Sequence, residues 1–550
     1  TSSRKPSPST ERPRASAVDL THIVRTIGDP LKSPCEDTIA LAMEDRDSVT
    51  YGQLRTDVQQ AMGGLQAHGV KQGDRIALLL YNSIDYWRLY FAVTALGAIV
   101  VKLNWRLSAE EIEYALTDSG ATVVFVNSEL ADRVAFLEAR DDVEVCSSGE
   151  PFPIGTTGRQ SLGMREVLDH PAIDFRPAPW DDSTPAVIMY TSGTTGRPKG
   201  AVWSHGNAIG YASIQVMEWG FPLGTVSMTS GPFYHVGAFE NLLLPTLLRR
   251  GTAAFMQSTG FSTERCATVM ATLGVTQALL YPFMINELVR LGSASTEQLR
   301  DPRMLVTGGS AIAPSTVREL HRLLPNVDLV QTYGLTEGGA ISTVSEPADA
   351  FEEPESTGRA MPLTEVICCD DDIGTPNAPG DVGEVWVRSP SVSIGYWGNP
   401  AATAETFVNG WCRTGDLGRV TARGRLQITG RKKDMIRTGG ENVYPAELEM
   451  VLSDHEAVAD IAIIGVPDSR FEEAICAVVI PNDGATLTED EFRAYARTRL
   501  AGYKVPKYVR VVDTMPRTAS GKLQKFLLRE QFRDAESQVG AGAPSTRIGE

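Results

Sequence analysis

The chain lacks any stretch long and apolar enough to cross a membrane as a helix. Its longest uncharged apolar run, Leu89 to Val101, is followed directly by Lys102 and falls short of the ~20 residues that roughly 30 Å of hydrocarbon requires. The opening TSSRKPSPSTERPR is rich in Ser, Pro and Arg but has no apolar signal core, so residues 1–17 are expected to form a solvated tail. Basic charge is also short, with 51 Lys and Arg against 68 Asp and Glu and a net charge of −17 over 550 residues. Such a field repels polyanions, which argues against generic binding of nucleic acid or anionic membrane. The seven cysteines show no CxxC pair and no zinc-finger spacing, and a reducing cytoplasm fits them best. HEAVAD is not HExxH, and Cys368-Cys369 has no metal-partner spacing, so no zinc site is expected. Repeats at solenoid periods are absent too.

What is present is an ordinary globular composition, 42% apolar and 22% charged, in a chain longer than the roughly 250–300 residues at which single cores stop growing. Two or more packed units follow. Residues 20–180 alternate amphipathic stretches with runs such as RIALLL and ATVVFV, the pattern of layered α/β structure with largely parallel strands. AVIMY at 186–190 reads as a strand that runs straight into TSGTTGRPKG, a Gly, Thr and Ser cluster that cannot continue it. MLVTGG and DLVQTY also end in glycines or polar turns, the place where open α/β sheets bind ligands. From Gly383 the texture becomes β-rich. Beyond Arg431 to Lys433 a smaller unit carries PAELEMVLSDH, IAIIGV and AICAVVI, which indicate α+β. Residues 431–530 hold fifteen basic and sixteen acidic residues, so nearly all of the net charge of −17 lies in the larger part. The expected organisation is a large α/β domain over 18–430, a hinge at 431–433, a small mobile α+β domain over 434–531 and a flexible tail over 532–550.

The loop Thr191 to Gly200 has the parts of a phosphate cradle. Thr191, Ser192, Thr194 and Thr195 are small hydroxyl donors, Gly193 and Gly196 permit close backbone approach, and Lys199 is a point charge. The order required for a Walker A loop is absent, which disfavours ordinary P-loop chemistry. A surface linker has the same composition when the loop is taken alone.

Five motifs in order resemble the adenylate-forming superfamily, which includes acyl-CoA synthetases, luciferases and adenylation domains of peptide synthetases. They are YTSGTTGRPKG at 190–200, QTYGLTEGG at 331–339, NGWCRTGDLG at 409–418, GRKKDMIRTGGENVYPAELE at 430–449 and PRTASGK at 516–522. The resemblance covers about residues 20–530. It implies that a carboxylate attacks the α-phosphate of ATP to give an acyl adenylate and pyrophosphate, before a thiol displaces AMP. By the same resemblance Tyr333, within Gln331, Thr332 and Gly334, lies against adenine, and Thr336 meets the α-phosphate. Glu337, with Thr191, offers hard oxygens to Mg2+. Asp416 and Arg431 meet the ribose, Lys433 is the hinge residue, and rotation of the small domain presents Lys522 for adenylation and Gly439-Gly440 for thioester formation. An ammonium at Lys522 in a water-poor site would stabilise the charge that builds on the pentavalent phosphorus.

His235 matches a family histidine beside the acyl and pantetheine channel. It is given a positioning role, since the carboxylate nucleophile is already ionised at neutral pH. The acyl pocket is expected along His235, Gly237 and Phe239, along Gly309, Ser310 and Ala311, and along Tyr333, Gly334, Gly339 and Ala340. The small residues leave room for more than acetate, and Phe239, Phe283 and Met284 would supply an apolar wall unless they belong to the core. An aryl or medium-chain acid is therefore favoured. A free amino acid is disfavoured, because Glu240 is the sole acid in the segment 231–245. Roughly thirty residues after Lys522 leave no room for a carrier domain, so the acceptor is expected in trans, with CoA favoured over a carrier-protein thiol by the lysines of GYKVPK at 502–507. Transfer to an amine and an inactive nucleotide-binding scaffold remain as alternatives, and the oligomeric state is left open between monomer and homodimer.

Overall fold

The computed structural model describes residues 36–533 apart from 45–46, 176–180, 192–196, 297–298, 300, 310–311, 354, 371, 439–440, 469, 471, 483 and 518–522. Of the expected site residues, Ser192, Gly193, Thr194, Thr195, Gly196, Ser310, Ala311, Gly439, Gly440 and Lys522 therefore lie outside the described residues, as do both expected tails except residues 532–533.

Among the described residues the chain forms four sheets. The strands Ile99–Lys102 and Val123–Val126, IVVK and VVFV, are buried along their whole length. Continuous β-branched and aliphatic runs of this kind suit a parallel strand covered on both faces. They sit with Arg75–Leu79 inside an eight-stranded sheet whose parallel run continues to Pro185–Thr191. The apolar run that is too short for a membrane divides here into the helix Ile84–Ala95 and the strand Ile99–Lys102. Among the described residues no helix is long and apolar enough to cross a membrane.

A nine-stranded sheet is built around the parallel strands Val226–Thr229, Gln277–Leu279, Met304–Gly308 and Asp328–Tyr333. Helices cover both sheets, and their starts are written locally. Ser204 caps the helix His205–Trp219 by accepting from Asn207 N while the Asn207 side chain accepts from Ser204 N, a reciprocal cap that ends the strand and begins the helix in one step.

The β-rich segment is a third sheet of Glu365–Cys369, Gly383–Arg388, Phe407–Val408, Trp411–Val420 and Leu426–Arg431. Beyond it a fourth sheet, with Ile436–Thr438, Glu441–Val443, Val458–Asp468, Glu472–Pro481 and Tyr508–Val511, packs with the helices Pro445–Leu452, Glu489–Arg497 and Lys525–Gln531. The architecture is mixed α/β, with a large N-terminal part and a smaller C-terminal α+β part. The third sheet ends at Arg431 and the fourth begins at Ile436, leaving a short turn at the position read as a hinge.

Candidate active site

The carboxyl ends of strands from the two large sheets meet. Thr191 is the last residue of its strand and pairs with Lys199 on the returning strand, so the phosphate-cradle loop is closed at its base by a β-ladder. Across the cleft, Glu337 follows the strand Asp328–Tyr333 and is buried. Thr191 Oγ1 donates to Glu337 Oε1 at 2.8 Å, and Tyr396 Oη donates to the same oxygen at 3.0 Å. The backbone on either side is pinned: Trp203 Nε1 donates to Thr336 O at 2.8 Å and Ser393 N donates to Glu337 O at 2.9 Å. Lys199 Nζ stands 5.1 Å from the centroid of the Tyr396 ring. Burial, then the Glu337 carboxylate, push the Tyr396 phenol far up, so it is a neutral donor. A hard cation fits this place, since both hydroxyls bond to Oε1 and neither uses Oε2.

A second row starts one turn away. Tyr333 Oη donates to Asp416 Oδ2 at 2.8 Å, and Arg431 Nε stands 3.1 Å from Asp416 Oδ1. The register explains the second contact, because Asp416 and Arg431 are paired residues on neighbouring antiparallel strands. Asp416, expected to accept twice from a ribose, thus has both oxygens engaged. Lys432 Nζ and Arg413 reach Glu384 Oε2 at 3.2 and 3.1 Å. Burial works against the Glu384 charge, but Arg413 and Lys432 outweigh it and hold the carboxyl below the usual range. Lys433 is in the same turn and exposed.

The strand residues Gln331 and Thr332 are fixed by their neighbours. Gln331 N donates to Ser345 Oγ, and Thr332 Oγ1 donates to Thr307 O. The buried Gln331 Nε2 has no partner among the described residues. The following loop is tight: a Cβ on Gly334 would fall 2.2 Å from Ala340 O, and Ala340 itself takes a left-handed φ of 63°.

Three pocket expectations are corrected. Phe239 lines no open wall; it is fully buried and stacks on Trp87 at 4.0 Å, with Tyr90 and Phe233 closing around it. Met284 belongs to the core of the nine-stranded sheet, facing an apolar cavity with Cys266, Met270 and Leu288, and its sulfur accepts from Ser230 Oγ. Gly339 leaves no spare room, because a Cβ there would sit 2.1 Å from Ser391 Oγ. Gly309 is different: no described residue beyond its chain neighbours lies within 4 Å of a Cβ built on it. His235 caps the short helix Val236–Phe239, its Nδ1 accepting from Gly237 N at 3.1 Å.

Other side chains turn out to be occupied. Glu240 is fully buried with both oxygens 2.8 Å from Lys102 Nζ, so it is not available to a substrate amine. Burial pushes Lys102 down and Glu240 up, and their mutual pairing opposes both shifts. In GYKVPK, Lys504 pairs with Glu447 and Lys507 with Asp468. Tyr396, Trp203 and Glu384 were not expected. Tyr396 lies in GYWGNP, whose glycine-turn texture carried no sign that it pairs against Lys199–Ser204.

The Thr191–Lys199 ladder, Glu337 and Tyr396 lie within a stretch that matches a known family model. Residues 31–397 match the AMP-binding enzyme model and residues 447–522 match the AMP-binding enzyme C-terminal domain. The chain belongs to the AMP-binding enzyme family. Among its relatives in this family it is 37% identical to a feruloyl-CoA synthase of Amycolatopsis sp over 486 residues, covering 88% of this chain and 94% of that one. It is 35% identical to an indoleacetate–CoA ligase of Aromatoleum aromaticum over 496 residues, covering 89% and 94%. The crystal structure of ATP-bound MatB from Rhodopseudomonas palustris superposes with a TM-score of 0.83 at 30% identity, covering 94% of this chain and 100% of that chain.

Proposed function

We propose that this AMP-binding enzyme is an ATP-dependent acid–thiol ligase. A carboxylate oxygen bonds to the α-phosphorus of ATP as the bond to pyrophosphate breaks; the sulfur of CoA then bonds to the acyl carbon as AMP leaves. The observation that carries this reading is the buried Glu337 carboxylate, held across the cleft by Thr191 and Tyr396 at the mouth of the Thr191–Lys199 loop. Two relatives named as CoA ligases of aryl acids support an aryl acid as substrate.

In this reading the loop from Thr191 to Lys199 holds the β- and γ-phosphates, and Thr336 meets the α-phosphate. Tyr333 flanks adenine, and Asp416 and Arg431 take the ribose. Mg2+, held by Glu337 with Thr191 nearby, would neutralise phosphate charge when bound. His235 positions the acyl group, and its Nδ1 acceptor bond fixes the ring so that Nε2 carries the proton. The small domain turns about 431–433, bringing Lys522 to the cleft for adenylation and Gly439-Gly440 for thioester formation. The six described cysteines are all buried thiols, in keeping with a reducing cytoplasm.

The test is a panel of aryl and alkanoic acids with ATP, Mg2+ and CoA, read by mass for acyl-AMP and acyl-CoA. Acyl-CoA that requires both ATP and CoA supports the proposal. AMP release indifferent to CoA would favour transfer to another nucleophile, and ATP binding without turnover of any acid would leave only a scaffold. Lys522→Ala is expected to stop acid-dependent pyrophosphate release, by 100-fold or more as a rough figure for a lost charge at the reacting phosphorus, while sparing thioester formation from supplied acyl adenylate. Equal loss of both half-reactions would remove Lys522 from that role.

A further inference from the structure

Around His235 three buried polar atoms have no hydrogen-bond partner among the described residues: Tyr234 Oη, Tyr281 Oη and Trp105 Nε1. They come from different parts of the fold. Trp105 follows the strand Ile99–Lys102 of the eight-stranded sheet, while Tyr234 and Tyr281 follow the strands Val226–Thr229 and Gln277–Leu279 of the nine-stranded sheet. All three thus stand at carboxyl ends of strands, where α/β sheets bind ligands.

They also stand together. The Trp105 and Tyr234 rings meet edge to face at 6.4 Å, and Tyr281 meets the His235 ring edge to face at 6.4 Å. The Tyr281 hydroxyl lies 3.0 Å from a Cβ built on Gly231 and 3.8 Å from one built on Gly237, so a side chain at Gly231 would crowd it. Buried polar groups in folded proteins are almost always satisfied, and a group left without a protein partner marks a place for water or ligand. Two hydroxyls and an indole N–H form a donor-rich set, and they suit an oxygen acceptor. The Arg106 guanidinium, 4.6 Å from the Trp105 ring centroid, favours an electron-rich one. Burial pushes the Tyr234 phenol up to about 12 although Arg106 pulls it down, which keeps it a neutral donor at neutral pH.

Strand spacing gives the distance to the reacting end. Leu279 pairs with Val306, and Gly308 pairs with Thr332, so the strand leading to Tyr281 is two strand steps from the one leading to Tyr333 and Glu337. At ~4.8 Å per step this is on the order of 10 Å, about the reach from the carboxylate of an arylpropenoic acid to an oxygen on the far side of its ring. Gly309 directly follows Gly308, the last residue of the strand between.

We propose that Tyr234, Tyr281 and Trp105 form a subsite that hydrogen-bonds a hydroxyl or methoxy oxygen on the ring of an aryl acid, distal to the carboxylate. The proposal rests on the acid-ligase reading and narrows its substrate class. A site built to hydrogen-bond a substrate oxygen discriminates against the analogue that lacks it, because its own buried groups are then left unpaired.

The experiment is acid-dependent ATP–pyrophosphate exchange without CoA, using 3-phenylpropenoic acid, its 4-hydroxy derivative and its 4-hydroxy-3-methoxy derivative, in the native chain, Tyr234→Phe and Tyr281→Phe. The native chain is expected to prefer the oxygenated acids in kcat/KM by about ten- to a hundredfold, and each variant to bring that ratio toward one. The ratio is taken within each protein, so a smaller folded fraction in a variant cancels. A native ratio near one, or a ratio preserved in both variants, overturns the subsite while leaving the ligase reading intact. Variants that change only the KM for CoA in the complete reaction would assign the three groups to the thiol substrate and overturn it as well. Exchange with none of the acids tested, alkanoic acids included, would overturn the ligase reading and the subsite together.

Discussion

Glu337 Oε1 takes two hydroxyl donors, Thr191 from the end of the strand that leads into the phosphate loop and Tyr396 from the short strand Gly395–Tyr396, 59 residues further along the chain. A hydrogen bond to a charged group contributes about 1.5–3 kcal/mol, and ~1.4 kcal/mol is tenfold in rate. Tyr396→Phe is therefore expected to lower kcat for ATP–pyrophosphate exchange by roughly tenfold or more, with the KM for the acid little changed. An unchanged kcat would mean that Thr191 alone orients the carboxylate. At this scale Thr191 and Tyr333 were legible in the sequence as strand ends that run into glycine-rich turns, whereas Asp416 sits within the strand Trp411–Val420. Tyr396 was not legible, since its place depends on the antiparallel pairing of Gly395 with Val202, a long-range register that no local pattern encodes. Phe239 and Gly339 were misread for a related reason. Residue type shows that a side chain is apolar or absent, but only packing shows that Trp87 stacks on the one and Ser391 fills the space beside the other.

At the scale of elements, Lys102, at the end of a strand of the eight-stranded sheet, pairs with Glu240, at the end of the short helix Val236–Phe239. Removing one partner of a buried pair costs about 3–5 kcal/mol, because the other charge is left uncompensated, whereas apolar replacement of both is often close to neutral. Glu240→Gln should lower the urea midpoint accordingly, and Lys102→Met with Glu240→Leu should recover most of the loss. A double variant no better than the single one would contradict this account of the pair. The acidic contact at the turn has its own signature. Glu384 is held below the ordinary glutamate value of 4.5 by Arg413 and Lys432, so its contribution is present above that value and is lost as the pH falls through the lowered value. Glu384→Gln is thus expected to flatten the acid side of the stability profile measured between pH 6 and pH 3, and an unchanged slope would assign that side to other carboxylates. The strands and the α+β character of residues 434–531 could be read from periodicity. The pairing of Lys504 and Lys507 could not, because Glu447 and Asp468 approach them from elements 57 and 39 residues away.

For the whole molecule, a net charge of −17 means that nucleotide and CoA are bound by local donors against an unfavourable background. Lys199 and Arg431 are the described candidates at the cleft, and Lys522 completes the set in the sequence. The division of the chain into a large part ending at Arg431 and a small part beginning at Ile436 is the frame on which the two half-reactions are proposed to alternate. The central claim is that the acid is activated by direct attack on the α-phosphate. An aryl acid labelled with 18O in both carboxylate oxygens, turned over with ATP, Mg2+ and CoA, tests this directly. The account predicts that mass analysis finds one 18O in AMP and none in pyrophosphate for each acyl-CoA formed. Label in inorganic phosphate with release of ADP, or unlabelled AMP, would contradict it.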